Sequence, residues 1–188
     1  MDSYVLSCCS TADLKKSHFD ERNISYICFH YELGGKEYKD DLGETIAFED
    51  FYRAMSNGAD TKTSQVNVEE YEEYFESFLK QGKDVLHLCL SSGISGSFNS
   101  ANVAKEMLQE RYPERKIYVV DSLAASSGFG LLMDKLADLY DREVDLATES
   151  LTQAMEPLTM VVMACIVGMI VAAVYGPIFS MYEGIDNM

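Results

Sequence analysis

The stretch "LCLSSGISGSFNSANVAKEML", residues 88–108, decides the fold. It runs from an apolar segment into a knot of Ser and Gly, then into helical spacing with Phe98, Ala101, Ala104 and Leu108 along one side. A strand that ends in such a turn and feeds a helix is half of a β-α-β unit, and the flanking segments repeat the scheme. Val85 to Leu90 reads as a buried strand, Ile117 to Val120 as another ending at Asp121-Ser122, and a further helix is expected through Leu139. Upstream, Asn67 with Glu70 forms a capping box that opens a helix carrying Val68, Tyr71, Tyr74, Phe75 and Phe78 on one face, closed by Gly82. Thr61 to Gln65 is a short polar stretch. Before it, Phe48, Phe51, Tyr52 and Met55 mark a helix beginning near Thr45 and stopping at Asn57-Gly58. Gly34-Gly35 marks a hairpin turn, and Ile24 to Tyr31, "ISYICFHY", reads as one strand. Tyr4 to Cys8 is the first strand, ending in the polar turn Ser10-Thr11-Ala12-Asp13. These alternations predict an α/β fold with a parallel-rich sheet and flanking helices, where ligands sit beyond the carboxyl ends of the strands.

The chain has 188 residues, 47% of them hydrophobic, which suits one packed domain. A formal net charge of −16, with no cluster of Lys and Arg, argues against nucleic-acid binding. Cys8, Cys9, Cys28, Cys89 and Cys165 show neither zinc-ligand spacing nor a C-x-x-C motif and read as buried thiols of a reducing cytosol. No metal site is expected. The N-terminus lacks the basic and apolar regions of a signal peptide.

Composition changes near residue 150: Pro157 to Tyr182 contain no Asp, Glu, Lys, Arg or His. As a helix, Leu158 to Met181 would be roughly 36 Å long, against a bilayer core of about 30 Å. The sequence therefore predicts an α/β domain at 1–140, a junction at 141–156, one transmembrane helix at 157–182 and a tail at 183–188. Arg142 on the N-terminal side favours a cytoplasmic domain. The expected location is the bacterial inner (cytoplasmic) membrane, or the cytoplasm if the tail does not insert.

In the knot, Ser91, Ser92, Ser95 and Ser97 offer hydroxyls, and Gly93 and Gly96 let backbone N–H groups approach a ligand at a helix N-terminus. A carboxylate or phosphate suits such a place, and so does a plain helix cap packed with small residues. Phosphate-loop and dinucleotide motifs do not fit, and Gly93-Ile94-Ser95-Gly96 falls one residue short of a nucleophile elbow. His18 lies in no partner motif, and His30 and His87 in apolar runs read as core histidines. The acidic residues around 69–76 read as the solvated face of their helix.

Taken together, "STADL" at 10–14, "TKTSQ" at 61–65, "SSGISGSFNSA" at 91–101 and "VVDSLAASSGFGLL" at 119–132 resemble the N-terminal domain of the DegV family of fatty-acid-binding proteins, over about residues 1–138. The resemblance implies that Thr63, Ser64, Ser92 and Gly93 bind the carboxyl group of a long-chain fatty acid, with Ser95, Ser10 and Thr11 as neighbours. It further implies a fatty acid kinase as partner, no catalytic residue in this chain, and no cofactor beyond the bound fatty acid. From about Val144, Glu156-Pro157-Leu158, Val167-Gly168 and Gly176-Pro177-Ile178-Phe179 resemble the C-terminal membrane helix of inner-membrane platform proteins of type II secretion and type IV pilus systems. The alternatives are a truncated or fused product that retains no lipid binding, or a membrane-assembly component related to the platform proteins. The apolar face that a missing second domain leaves bare predicts a homo-oligomer or aggregation.

Overall fold

The computed structural model describes residues 4–142 and, beyond them, 160, 161, 163–167 and 169. The chain divides into two compact units, Met1–Asp138 and Leu139–Met188. The first holds β1 (Tyr4–Cys9), a 3-10 turn (Ser10–Ala12), α1 (Lys16–Glu21), β2 (Ser25–Ile27), β3 (His30–Leu33), β4 (Lys36–Lys39) and α2 (Phe48–Ser56). It continues with β5 (Thr61–Ser64), α3 (Val68–Leu79), β6 (Asp84–Cys89), α4 (Ser97–Arg111), β7 (Ile117–Asp121) and α5 (126–138).

Four strands form a parallel sheet in the order β2-β1-β6-β7. Its central pair buries Leu6, Cys8 and Cys9 of β1 against Val85, Leu88 and Cys89 of β6. Parallel strands covered on both faces demand such near-continuous apolar runs. The chain leaves β1 toward β2 and β6 toward β7, in opposite directions, so right-handed crossovers place α1 and α4 on opposite faces. On one side α3 and α4 are joined by Arg111, paired with Glu72 and Glu76, and by the Tyr112 hydroxyl, which donates to Glu76 Oε1 at 3.0 Å. On the other, α1 meets α5: His18 Nε2 lies 3.0 Å from Asp134 Oδ1, and Arg22 donates to Asp134 and Asp138 at 3.1 and 2.7 Å. Phe129, Met133 and Ala137, four residues apart, bury one stripe of α5.

A second, antiparallel sheet has the order β4-β3-β5. Its hairpin is the one expected at Gly34-Gly35. Leu33 pairs with Lys36, and both glycines have positive φ, +60° and +81°, as a two-residue type I′ turn requires. Two expectations are corrected here. "ISYICFHY" is not one strand: β2 ends at Ile27 in the parallel sheet and β3 begins at His30 in the antiparallel one. The break is held by Phe29, whose N–H donates to Ser10 Oγ at 3.1 Å and whose carbonyl accepts from Asp40 N–H at 2.8 Å. The polar stretch at 61–65 is largely strand, β5, paired with β3 so that Ser64 faces His30 and Thr63 faces Tyr31.

The capping box forms as read. Asn67 Oδ1 accepts from Glu70 N–H at 2.9 Å, and Glu70 Oε2 accepts from Asn67 N–H at 3.0 Å. Cys8, Cys9 and Cys89 are buried, but Cys28 is half-buried and Cys165 exposed, so the expectation of buried thiols holds for three of the five.

In the second unit, 139–142, 160, 161, 163–167 and 169 are helical. Most of the expected membrane span at 157–182 and the whole tail at 183–188 lie outside the described residues, as does most of the junction at 141–156. Among the described residues no helix is long and apolar enough to cross a membrane.

Candidate functional site

In this strand order the connections diverge between β1 and β6, which makes a topological switch point at the carboxyl edge of the sheet. Two of the polar turns singled out in the sequence leave the sheet there: Ser10–Ala12 after β1 and the Ser/Gly knot after β6. Between them and the antiparallel sheet opens a groove of about 730 Å³, within the range of small-molecule sites. Its polar lining comes from Thr11, His30, Asp40, Asp41, Thr63, Ser64, Gln65 and Ser95, with the Gly96 backbone. The wall is apolar and aromatic, with Phe29, Tyr31, Phe48, Phe51, Tyr52 and Ile94. Tyr31 stacks on Tyr38 at 5.6 Å and meets Phe51 edge-on at 5.3 Å, which sets the wall's orientation.

Of the seven expected ligand-binding residues, four line this groove: Thr11, Thr63, Ser64 and Ser95. Ser10 lines an adjoining cavity of about 560 Å³ that shares Thr11, Asp40, Phe48, Leu90 and Ile94 with it. Ser92 and Gly93 line neither cavity, and their N–H groups are engaged elsewhere. Ser92 N–H donates to Asp121 Oδ1 at 3.1 Å and Gly93 N–H to Ser91 Oγ at 3.2 Å. The Ser92 side chain, outweighing burial and helped by the Leu123 and Ser92 N–H groups, holds the Asp121 carboxyl below its ordinary value. The knot closes further where Ser97 N–H donates to Ser95 Oγ at 3.2 Å, satisfying one of the free donors of α4. Gly96 lets the Gln65 side chain approach: a Cβ there would lie 2.6 Å from Gln65 Oε1 and displace its amide.

Thr11 is the unusual member. Its hydroxyl is buried and has no hydrogen-bond partner, a state that ordinarily costs about 1–3 kcal/mol. Its neighbours Ser10, Asp40 and Asp41 are engaged. Ser10 Oγ donates to Asp40 Oδ2 at 2.8 Å, and Asp41 accepts from Thr45 N–H at 3.0 and 3.1 Å and from the Thr45 hydroxyl. Partial burial raises the Asp41 pKa, but the Thr45 and Glu44 hydrogen bonds outweigh it and hold the carboxyl below its ordinary value. His30, the one basic side chain among the described lining residues, lies 3.0 Å from Glu70 Oε1, and no described Lys or Arg lines the groove. A ligand's polar head would therefore meet neutral donors beside acidic neighbours.

The sequence reading did not assign the aromatic wall to the site. Its signal is present in the Phe48, Phe51, Tyr52 and Met55 stripe, which marks the helix in the sequence; α2 buries none of its residues.

Fold and site together define an α/β protein with an open, aromatic-walled groove at the carboxyl edge of its parallel sheet. The family model described as "Uncharacterised protein, DegV family" matches residues 9–163, and the chain belongs to the DegV family. A DegV domain-containing protein of Clostridium perfringens is 38% identical over 133 residues, covering 71% of this chain and 46% of that protein. The crystal structure of a stearic acid-binding protein from Eubacterium ventriosum superposes with a TM-score of 0.68 at 30% identity, covering 74% of this chain and 48% of that one. DegV of Bacillus subtilis, a fatty acid binding protein, gives 0.64 at 26% identity, covering 76% and 49%. The chain thus spans about half the length of the curated relatives it matches. The family match continues through residue 163, into the segment read as resembling secretion-platform proteins, and that second resemblance is not supported.

Proposed function

We propose that the groove binds a long-chain fatty acid, its carboxyl group at Thr11, Thr63, Ser64 and Ser95 and its acyl chain along Phe29, Tyr31, Phe48, Phe51 and Tyr52. The observation that carries this reading is the buried Thr11 hydroxyl with no partner, on a residue that lines a groove with an aromatic wall. A carboxyl oxygen would satisfy it by a charge-assisted hydrogen bond. Burial of the chain contributes about 0.8 kcal/mol per methylene. The fatty acids bound by the Eubacterium and Bacillus relatives support the same reading.

The role is binding rather than catalysis. Ser95 Oγ bonds to Ser97 and not to a histidine, and His30 is paired with Glu70, so the groove lacks an activated nucleophile. Chemistry on the carboxyl group then falls to a partner, a kinase that phosphorylates the presented acid. The uncharged run at 157–182 supports membrane attachment on composition alone, and alkaline extraction of membranes containing the full chain tests it.

Native mass spectrometry of the full chain with stearate tests the binding. One stearate per chain is expected, with about tenfold weaker retention in Thr11→Val/Thr63→Ala, a loss of about 1.4 kcal/mol. A double variant that binds as tightly as the parent overturns the placement. A parent chain that takes up no stearate overturns the function.

A further inference from the structure

Away from the groove, three metal-ligating side chains converge inside the parallel sheet. Cys8 of β1 pairs with Leu88 of β6, so one step along both strands brings Cys9 beside Cys89. Side chains alternate between faces with period two, and His87 therefore projects on the same face as Cys89. The sulfurs of Cys9 and Cys89 and a ring nitrogen of His87 lie within 4.8 Å of one another, and all three residues are buried. Sequence spacing conceals the cluster, because Cys9 stands 78 residues from His87.

The geometry suits a metal ion. Bonds of about 2.3 Å to a thiolate and about 2.0–2.1 Å to an imidazole, in a trigonal or tetrahedral site, set the sulfur–nitrogen edge near 3.5–3.8 Å. The Cys9 Sγ to His87 Nε2 separation is 3.8 Å. The far side of the ring is fixed as metal-bound imidazoles usually are: His87 Nδ1 lies 2.8 Å from Ser7 Oγ, which in turn is 2.7 Å from the Tyr74 hydroxyl. With Nδ1–H donated to Ser7, the Nε2 lone pair is turned to Cys9. The Tyr71 hydroxyl, 3.4 Å from Cys9 Sγ and 3.8 Å from Cys89 Sγ, can donate to a thiolate.

We propose that Cys9, His87 and Cys89 form a binding site for one zinc ion in the core of the sheet. Charge selects the ion. Two thiolates and a neutral imidazole balance a divalent cation, whereas a monovalent one such as Cu(I) would leave a net negative charge in a dry interior, which is costly. Binding releases the two thiol protons to solvent and changes no oxidation state. Because the site is closed, the ion enters while β1 and β6 pair, and binding is coupled to folding.

The test is the metal content of the full chain, expressed with added zinc and purified under a phosphine reductant. About one zinc per chain is expected, kept by Cys165→Ser, whose thiol is exposed, and reduced at least about tenfold in Cys9→Ser and Cys89→Ser. Since core variants can fail to fold, the parent chain is also substituted with Co(II) and read by X-ray absorption, where two sulfurs and one nitrogen are expected. A folded parent chain without stoichiometric metal overturns the proposal. So does metal held only by nitrogen and oxygen, or zinc retained by both folded Cys9 and Cys89 variants.

Discussion

Helices α2 and α3 lie close in the chain, are both amphipathic, and meet opposite fates. α3 buries Tyr71, Phe75 and Leu79 completely or nearly so against the parallel sheet, where His87 meets the Tyr71 and Phe75 rings edge-on. α2 carries an equally regular apolar stripe, yet Phe48 is 56% and Tyr52 63% exposed. Helical periodicity identifies an apolar face; it does not say what covers the face. For α3 the cover is the protein core. For α2 the covering surface is missing from the described fold, and its stripe forms part of the groove wall.

Breaking the α3 side should cost the most. Phe75→Ala leaves a cavity in a closed core and is expected to lower unfolding free energy by about 3–5 kcal/mol in a denaturant titration. The matching change on α2, Phe48→Ala/Tyr52→Ala, should shift stability by no more than about 1 kcal/mol while weakening stearate binding about tenfold or more. Equal destabilisation by the two would end the comparison. Removing the α3 cap by Asn67→Ala should cost about 1 kcal/mol without affecting stearate affinity, which confines α3 to scaffolding. The smallest effect concerns pH. Asp41, held below the usual carboxylate range, stays ionised beside the groove and opposes a bound carboxylate, raising the ligand's pKa in the complex. A raised bound-state pKa means that binding takes up protons, so affinity should rise a few-fold as pH falls from about 8 to about 6. Fluorescence displacement at matched ionic strength checks it, and an affinity that is flat or falls as the pH is lowered would show that Asp41 does not raise the ligand's pKa.

What was legible in the sequence follows from the range of each interaction. The capping box needs only Asn67 and Glu70, three residues apart, and the hairpin only Gly34-Gly35; both formed as read. β5 escaped notice because "TKTS" has no apolar alternation: it is exposed along most of its length and owes its strand form to pairing with β3. "ISYICFHY" is β-prone throughout, so nothing local shows that the chain changes sheets at Cys28-Phe29; a hydrogen bond from Phe29 N–H to Ser10, nineteen residues away, does that. The site divides in the same way. The hydroxyl-bearing motifs were visible as short strings, and of their residues Ser92 spends its N–H group on Asp121 at the end of β7 and Gly93 spends its own on Ser91. The unpartnered state of Thr11 and the meeting of Cys9 with His87 and Cys89 depend on residues far apart in the chain, and no window on the sequence contains them.

The order β2-β1-β6-β7 also sets a timetable for synthesis. Tyr4 pairs with Asp84, so β1 leaves the ribosome 80 residues ahead of its central neighbour. At about 5–20 residues per second that is a wait of roughly 4–16 s, during which β2 is the only strand of its sheet available to it. The β3-β4 hairpin, closed by two glycines, can form on its own in that interval, whereas the apolar run of β1 and its adjacent thiols stay without a full cover. The nascent chain is thus most open to chaperone capture and oxidation before β6 emerges.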